Sequence, residues 1–462
     1  MRYVSTRGRS PSVGFVDAVL AGLAPDGGLY VPQAWPVFTH NEIANFAGRP
    51  YAQVAAVVLG AFAGDEVAPA DMLAMCEEAY ATFRHPAVVP LTQIGPNAFI
   101  AELFHGPSLA FKDVAMQILA RLYDHILQRQ GRTQTILCAT SGDTGGAAVE
   151  AFRGRKSVRV MALFPEGRIS EVQRRFMTAA VEDNIACVAV AGDFDDCQAI
   201  VKDAFRDDDL RQAVDLSGVN SINFARIAAQ AVYYFTTAVA LGAPHRPVSF
   251  CVPSGNFGDA FAGYVAKTMG LPISRIVVAT NSNDILARAF STGRYERGAG
   301  VATISPAMDI QSASNFERLF FEATGRDAAA TEAAFNNFAQ SGGLDVPPAA
   351  LQMMQASFQG LSTSEDDTRA TIAGMLAVTG QLIDPHTAVA VAALPRTSAP
   401  GPIVVLSTAH PAKFPEDVAA ATGRTPALPA GVADLAARPE RFDRAPADAA
   451  DIKARLRAFA GV

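Results

Sequence analysis

The sequence predicts an α/β fold: two open, mostly parallel-sheet lobes with an N-terminal accessory region. Three observations support this fold class. From residue 113 onward, segments with helical spacing of apolar residues alternate with short apolar runs. Those runs are continuously β-branched or apolar, as expected of parallel strands that are covered on both faces. Residues 1–83 instead carry mainly helical patterns, and a proline-rich stretch at 85–99 separates them from the rest of the chain.

The predicted elements follow the chain in order. A turn-rich segment, GLAPDGGLYVP, interrupts the first helical region at 22–32. A strongly amphipathic helix is predicted after Asp113, with Asp113 as its cap. Apolar strands are predicted at 133–140, 158–165, 184–192, 248–255, 275–280 and 402–408. Helices are expected between them and over most of 300–380, and a last helix is expected at 447–459.

These patterns divide the chain into three parts. Residues 1–90 form the N-terminal region. Residues 91–420 hold the two α/β lobes, with the smaller lobe around 113–215, and residues 421–462 form a C-terminal tail. A chain of 462 residues is long enough for two or three domains with ample core.

Composition and charge exclude several classes of function. The net charge of −7 argues against a nucleic-acid or anionic-membrane surface, which would require a basic patch. The apolar stretches are too short or too interrupted to span a bilayer. The five scattered cysteines show no CxxC spacing and the seven histidines no ligand spacing. We therefore expect a cytoplasmic protein without disulfides, a metal site, a nucleic-acid partner or a membrane partner.

Lys112 is the first candidate for chemistry. It lies in ELFHGPSLAFKDVAMQ (102–117), directly before the amphipathic helix. The positive end of a helix macrodipole opposes the ammonium charge there, so the amine loses its proton more easily. A neutral amine is the form that attacks an aldehyde to give a Schiff base. A solvated lysine beside a helix start is the alternative, and this segment alone does not decide between them.

Two glycine-rich turns follow predicted strands. In CATSGDTGGAA (138–148), Ser141, Thr144 and several backbone amides converge at a helix start, where anions bind. The turn lacks a P-loop lysine and the dinucleotide spacing, which argues against NTP and NAD. A tight turn with capping hydroxyls is the alternative.

The second turn, PSGNFGDAFAG (253–263), repeats this arrangement. Its glycines allow close backbone approach, so its amides form a candidate phosphate cradle at the helix start. The cradle residues are Gly255, Asn256, Phe257 and Gly258. A simple turn is again the alternative.

Two further segments carry polar groups suited to a ligand. NSINFAR (220–226) places Asn220 and Ser221 near Arg226, whose planar fork suits a phosphate or carboxylate. A capped helix with a solvated arginine is the alternative. LSTAHPAKF (406–414) places Thr408 at the carboxyl end of a strand, where ligands of open α/β sheets bind. Together with the lysine and the two turns, these segments match the groups of pyridoxal phosphate: an aldehyde, a phosphate and a ring nitrogen.

At these residues the chain resembles the threonine synthases, a family of fold-type II pyridoxal-phosphate enzymes related to tryptophan synthase β. The matching strings run in family order from residue 22 to 414. They are GLAPDGGLYVP, ELFHGPSLAFKD, TSGDTGGAA, NSINFAR, PSGNFGD, NSNDIL, SPAMDIQSASNFERL, DPHTAVA and STAHPAKF. The resemblance implies that pyridoxal 5′-phosphate lies between the two lobes.

The resemblance also implies roles for single residues. Lys112 would be the Schiff-base lysine, the segment 255–258 would bind the cofactor phosphate, and Thr408 would face the pyridine nitrogen. Asp143 stands where relatives often have asparagine near the cofactor 3′-oxygen; a carboxylate donates a hydrogen bond only when it is protonated. The implied substrate-binding residues are Ser141, Gly142 and Thr144 for the carboxylate, and Asn220, Ser221 and Arg226 for the phosphate. For His105, His386 and Lys413 the resemblance implies no role beyond lining the site.

The implied reaction converts O-phospho-L-homoserine and water to L-threonine and phosphate, the last step of threonine biosynthesis. It combines γ-elimination of phosphate with β-addition of water, with Lys112 as general base. A lyase of the same fold that releases 2-oxobutyrate is one alternative. A non-catalytic binding protein on the same scaffold is another, and the expected assembly is a monomer or homodimer.

Overall fold

The computed structural model describes residues 1–462 as two mostly parallel sheets with two short antiparallel strand pairs. The strands are β1 (Tyr3–Ser5), β2 (Tyr30–Pro32), β3 (Leu91–Gln93), β4 (Ala98–Glu102), β5 (Gln134–Ala139), β6 (Val158–Pro165), β7 (Ile185–Ala191), β8 (Leu216–Ser217), β9 (Val248–Pro253), β10 (Ile273–Thr280), β11 (Arg294–Glu296), β12 (Gly343–Asp345), β13 (Phe358–Ser362), β14 (Ile403–Ser407) and β15 (Asp443–Pro446).

Helices connect these strands and cover the sheets. They are α1 (Phe15–Ala21), α2 (His40–Ala44), α3 (Tyr51–Ala63), α4 (Pro69–Tyr80), α5 (Lys112–Gln130), α6 (Asp143–Phe152), α7 (Glu171–Thr178), α8 (Phe194–Arg206), α9 (Asp208–Val214), α10 (Phe224–Ala240), α11 (Gly258–Thr268), α12 (Ile285–Thr292), α13 (Phe316–Ala323), α14 (Ala328–Ser341), α15 (Pro348–Ser357), α16 (Glu365–Thr379), α17 (Pro385–Ala393), α18 (Pro415–Thr422) and α19 (Ala449–Ala460). No helix is both long and apolar enough to cross a membrane.

The larger sheet contains six strands in the order β13–β10–β9–β14–β4–β3. All neighbours run parallel except β3 and β4. Every residue of β9 and β14 is buried, because helices cover both faces. Phe250 and Val252 of β9 pack into the core that includes α10 and α11, whereas Cys251 packs into the core under α17. The continuous apolar runs thus have the two-sided burial that the sequence predicted.

The smaller sheet has the order β15–β7–β6–β5–β8, and all its neighbours are parallel. The last part of the chain completes this lobe: β15 pairs with β7, and α19 packs against α8 and α9. The predicted fold class, two open and mostly parallel lobes with an N-terminal region, is confirmed.

The N-terminal region packs against the helices that carry the site. Helices α3 and α4 contact α10 and α5, respectively. Phe224, the first residue of α10, is enclosed by aromatic rings, with centroids 5.2 Å from Tyr3 and 5.4 Å from Phe62. Edge contacts of this kind fix the start of α10 in a rigid environment.

Three strands of the larger sheet bring the chemical segments to one edge. Strands β4, β14 and β9 are parallel neighbours, so their carboxyl ends lie together. The chain leads from β4 to Lys112, from β9 to residues 254–258, and from β14 to Thr408. The turn at 140–144 follows β5 of the smaller sheet. Ligands of open α/β sheets bind at such edges.

The structure differs from the sequence prediction in several elements. All six predicted strands are present within two residues at either end, but the other nine strands were not predicted. Five of these, β3, β4, β8, β13 and β15, are short edge or near-edge strands of the two parallel sheets, and the other four form the two antiparallel pairs. Their apolar patterns are weak because they are short and one face or side is exposed. Helix α5 begins at Lys112 itself. The prediction of Asp113 as the cap is wrong, because Phe111 holds the N-cap position.

Candidate active site

The backbone before Lys112 is joined to the end of β14. The amide of Phe111 donates to the carbonyl of Thr408 at 2.8 Å, and the amide of His410 donates to the carbonyl of Leu109 at 3.0 Å. Leu109 has a φ of +62° and its side chain is buried. These bonds hold the segments that carry Lys112 and Thr408 against each other. Thr408 is 6% exposed.

The side chain of Lys112 is largely buried, and its Nζ lies 3.5 Å from Oδ2 of Asp143. Burial is the largest influence on this amine and lowers its pKa. The charge of Asp143 opposes that shift, whereas the charges of Lys413 and Arg226 add to it. The predicted direction of the pKa shift therefore holds, but desolvation rather than the helix dipole is its main cause.

Asp143 begins α6 and is the centre of a buried charge cluster. Its Oδ1 accepts from Nζ of Lys413 at 2.8 Å and from Nε2 of Gln173 at 3.1 Å. Burial alone would raise the pKa of this carboxyl, but Lys413 and Lys112 outweigh it and hold the pKa well below its usual range. Asp143 is therefore ionised and acts only as a hydrogen-bond acceptor.

The turn at 140–144 is shaped by Thr140, which the sequence analysis did not select. Its Oγ1 accepts from the amides of Gly142 at 2.9 Å and Gly145 at 2.8 Å. Gly142 has a φ of +124°, and a Cβ there would lie 2.6 Å from the side chain of Gln173. The amide of Gly142 is thus turned into the protein, while Ser141 is exposed and Thr144 half-buried.

Residues 255–258 form a turn whose amides remain free. None of their backbone N–H groups donates to another group of the protein. Phe257 adopts a φ of +63°. Its ring packs against Phe290 and Phe358, and this contact holds the turn against the core. The Oγ of Ser254 is buried without a hydrogen-bond partner. Free amides at a helix start beside an unpartnered hydroxyl fit a phosphate group.

A second layer of residues holds this turn in place. The amide of Asn315 donates to the carbonyl of Asn256 at 3.1 Å, and its side chain donates to the carbonyl of Ser221 at 3.2 Å. Arg318 is fully buried and donates to carbonyls of Ile222 at 2.6 Å and Tyr30 at 3.1 Å. Both side chains belong to the string SASNFERL (312–319), one of the family motifs.

Arg226 is a buried guanidinium without a carboxylate partner. It is 3% exposed, its Nη1 donates to the carbonyl of Val219 at 3.2 Å, and its Nε has no partner. Burial lowers its pKa to about 10. Asn220 is exposed and Ser221 half-buried nearby in sequence. A buried cation with an orphaned donor is costly unless it meets an anion, so this side chain fits an anionic ligand.

Other polar residues of the quoted motifs have structural partners. Asp113 is buried and accepts from the amide and Oγ of Ser108, at 2.8 and 2.7 Å. Nδ1 of His386 lies 2.9 Å from Oδ1 of Asp384, and Nε2 accepts from the Ala307 amide at 3.3 Å. His105 lies 2.8 Å from Glu102. These contacts brace the loops around the site.

Comparison with known proteins places this arrangement in a family. The family model described as "Threonine synthase N terminus" matches residues 2–80, "Pyridoxal-phosphate dependent enzyme" matches 87–350, and "Threonine synthase, C-terminal" matches 387–455. The threonine synthase of Pseudomonas aeruginosa is 50% identical over 444 residues, which cover 96% of this chain and 95% of that protein.

Solved structures agree with these matches. A pyridoxal-phosphate-bound threonine synthase from Brucella melitensis superposes with a TM-score of 0.98 at 52% identity, covering 100% of both chains. Threonine synthase from yeast superposes with a TM-score of 0.94 at 36% identity, covering 100% of this chain and 99% of that one. The chain therefore belongs to the threonine synthase family of pyridoxal-phosphate-dependent lyases.

Proposed function

We propose that this enzyme converts O-phospho-L-homoserine and water to L-threonine and inorganic phosphate. The observation that carries the proposal is Arg226, a buried guanidinium with an unpartnered Nε whose charge acts on Lys112. A substrate that ends in phosphate supplies the anion that this side chain lacks. Relatives that align over nearly the whole chain are named threonine synthase.

The residues at the edge of the larger sheet fit pyridoxal phosphate. Amides of residues 255–258 and Oγ of Ser254 would hold its phosphate, Thr408 its ring nitrogen, and Lys112 its aldehyde carbon. Asp143 would lie near its 3′-oxygen. Because this carboxylate is ionised, it would accept a hydrogen bond there from a group that carries a proton. When bound, the cofactor withdraws electrons from the α-carbon of an attached amino acid and so acidifies the α-proton.

Lys112 and Arg226 would carry out the proton transfer and charge stabilisation. Because its pKa is lowered, Lys112 has access to the neutral form that takes a proton from the substrate α-carbon. It would have to give up that proton again, and so return to the neutral form, before it takes a second proton from the β-carbon. Arg226 keeps its charge, since a pKa of about 10 lies well above neutral pH. It would stabilise the phosphate dianion as it leaves the γ-carbon, before water adds at the β-carbon.

The remaining contacts orient the substrate. We assign its carboxylate to Ser141 and Thr144, with Gly142 shaping the turn between them. Asn220 and Ser221 would add hydrogen bonds to the substrate phosphate beside Arg226. Under this assignment the reacting carbons would lie between the smaller lobe and the start of α10.

Product analysis tests the reaction. Incubation of the purified protein with O-phospho-L-homoserine should release phosphate and threonine in equal amounts, with 2-oxobutyrate a minor product. Lys112→Ala should abolish turnover, and Lys112→Arg should do the same because an always-charged guanidinium cannot serve as base. A dominant 2-oxobutyrate signal would favour the phospho-lyase alternative instead.

Substrate capture tests the role of Arg226. Arg226→Met should raise the KM for O-phospho-L-homoserine by about 30-fold or more, because a charge-assisted phosphate contact contributes about 2 kcal/mol. Arg129→Met, a change of an exposed arginine on α5, is the matched control and should leave KM unchanged. An unchanged KM in Arg226→Met would contradict the assignment.

We also propose that the enzyme acts in the cytoplasm as a monomer or homodimer. All five cysteines are buried and unpaired, as is usual in a reducing compartment. Divisions near residues 90 and 420 remain our proposal for its domains, although β15 from the last part completes the smaller sheet. Cell fractionation would test the location, light scattering the assembly state, and limited proteolysis the domain divisions.

A further inference from the structure

Lys413 is a second lysine beside Asp143, and the roles proposed above do not use it. Its side chain is 0% exposed. Its Nζ lies 2.8 Å from Oδ1 of Asp143, donates to the carbonyl of Ser108 at 2.9 Å, and stands 5.4 Å above the ring of Phe176. These contacts come from three different segments, so the ammonium has a fixed position.

The two lysines share Asp143 unequally. Oδ1 takes the short contact with Lys413 and a hydrogen bond from Gln173. Oδ2 lies 3.5 Å from Nζ of Lys112, which is longer than a normal charge-assisted hydrogen bond. The carboxylate is therefore already neutralised by Lys413, and its contact with Lys112 is the weaker one.

We propose that Lys413 is a positioning residue that serves as the permanent counter-charge of Asp143 and thereby leaves the amine of Lys112 free to react. This inference rests on the proposed function, in which Lys112 binds the cofactor. Lys413 touches neither the substrate nor the cofactor in this scheme; it acts through Asp143.

The reason lies in the cost of an unpaired buried charge. Lys112 has to lose its charge to react, and a buried carboxylate that lost its only cation would be strongly destabilised. With Lys413 in place, Asp143 keeps a cation whether Lys112 is charged or neutral. Without Lys413, Asp143 would hold Lys112 as an ammonium, and the neutral amine would be rarer at a given pH.

The other charged groups around this cluster are few. Asp143 of α6 faces Lys112. The charge of Arg226, on α10, lowers the pKa of Lys112. His386 of α17 acts on Asp143, and Asp113 of α5 is within the influence of Lys413. A change at Lys413 alone leaves all of these groups in place, so a shift in the behaviour of Lys112 is attributable to the missing ammonium.

Cofactor capture over a range of pH tests the proposal. The full-length protein is freed of cofactor, pyridoxal phosphate is added between pH 7 and 10, and the rate is followed by absorbance. In this range the cofactor phosphate is fully ionised, since its second pKa is about 6. Capture joins the Lys112 amine to the aldehyde carbon with loss of one water, so its rate follows the neutral fraction of the amine.

The expected result is a displaced pH profile. In Lys413→Met the midpoint should move upward by about one pH unit or more, which makes capture at least about tenfold slower at pH 7.5. Lys413→Gln keeps a hydrogen-bond donor but no charge, and it should show the same displacement. It provides the test if the methionine variant does not fold. Lys267→Met, a change of a half-buried lysine on α11, should match the unmodified protein.

A double variant separates the charge effect from a packing effect. Lys413→Met combined with Asp143→Asn removes both the ammonium and the carboxylate, so the midpoint should return to within about half a unit of the unmodified protein. A packing defect would persist in the double variant. An unmoved profile in both single variants at Lys413, or a displacement that the double variant keeps, overturns the proposal.

Borohydride reduction fixes the cofactor to its lysine, and peptide mapping then identifies the labelled residue. This distinguishes a failure of the role proposed for Lys413 from a failure of the assignment of Lys112. Label on Lys112 in the unmodified protein, with an unmoved profile in the Lys413 variants, would refute only the role of Lys413. Label on another lysine would refute the assignment of Lys112 itself, and with it both proposals.

Discussion

The two glycine-rich turns of this enzyme look alike in sequence and differ in the structure. Both follow a buried parallel strand and open a helix, at 140–144 and at 254–258. The first surrounds an ionised carboxylate that two lysines neutralise. The second presents free amides and an unpartnered hydroxyl. The charged side chain of the first turn therefore has its partners within the protein, whereas the second turn offers only uncharged donors to an anion.

The difference depends on where one acidic residue points. Each helix carries an aspartate in its first turn, Asp143 in α6 and Asp259 in α11. Asp143 faces the site and meets Lys112. Asp259 turns away and accepts from the hydroxyls of Tyr233 at 2.5 Å and Tyr234 at 2.9 Å. Burial raises its pKa to about 7, which weakens its negative charge beside the phosphate turn.

The largest effect should come from breaking the internal charge pair of the first turn. Asp143→Asn leaves Lys413 buried without its counter-charge, so the free energy of unfolding should fall by about 3 kcal/mol at pH 7. Urea unfolding of the cofactor-free proteins measures this. Asp208→Asn, at an exposed ion pair on α9, is the control and should cost less than about 0.5 kcal/mol.

The pH dependence of that loss has a definite sign. The pKa of Asp143 is lowered in the folded protein, so its stabilising contribution is present above the unfolded value of 3.8 and is lost as pH falls toward the folded pKa. The difference between the two proteins should therefore be constant above about pH 5 and shrink below pH 4. A difference that grew on acidification would contradict an ionised Asp143.

An intermediate effect should follow from crowding the second turn. A Cβ at residue 255 would lie 2.8 Å from the carbonyl oxygen of Ala307 and 3.1 Å from Cα of Met308. Gly255→Ala should therefore shift the amides and weaken cofactor binding by about 30-fold, equivalent to about 2 kcal/mol. Gly374→Ala, in open space on α16, is the control for equilibrium titration and should bind normally.

The smallest effect should come from Ser254→Ala. Its Oγ has no partner within the protein, so the variant should unfold at the same urea concentration as the unmodified chain when cofactor is absent. One lost hydrogen bond to a charged phosphate should weaken cofactor binding by about tenfold. Equal loss of stability with and without cofactor would show that the hydroxyl is structural.

Local patterns in the sequence were enough to find the parts of the site that rely on backbone. The apolar runs gave the central strands, and glycine spacing gave both turns, because strand burial and turn geometry depend on neighbouring residues. Lys112, Thr408 and Arg226 were also identifiable, since each belongs to a short motif. Ser254 and Arg318 were missed, because their importance depends on burial and on what distant segments bring to them. Thr140 was missed although its two hydrogen bonds, to the amides of Gly142 and Gly145, are local.

The sequence by itself determined the fold class, and it predicted the turn and the lysine that we propose for the cofactor. Tertiary structure decided how that lysine is tuned. Residues 112, 143 and 413 come from three separate segments, and only folding brings two ammonium groups to one buried carboxylate. Charge and burial set the pKa of each group through their mutual distances, and a linear sequence does not contain those distances.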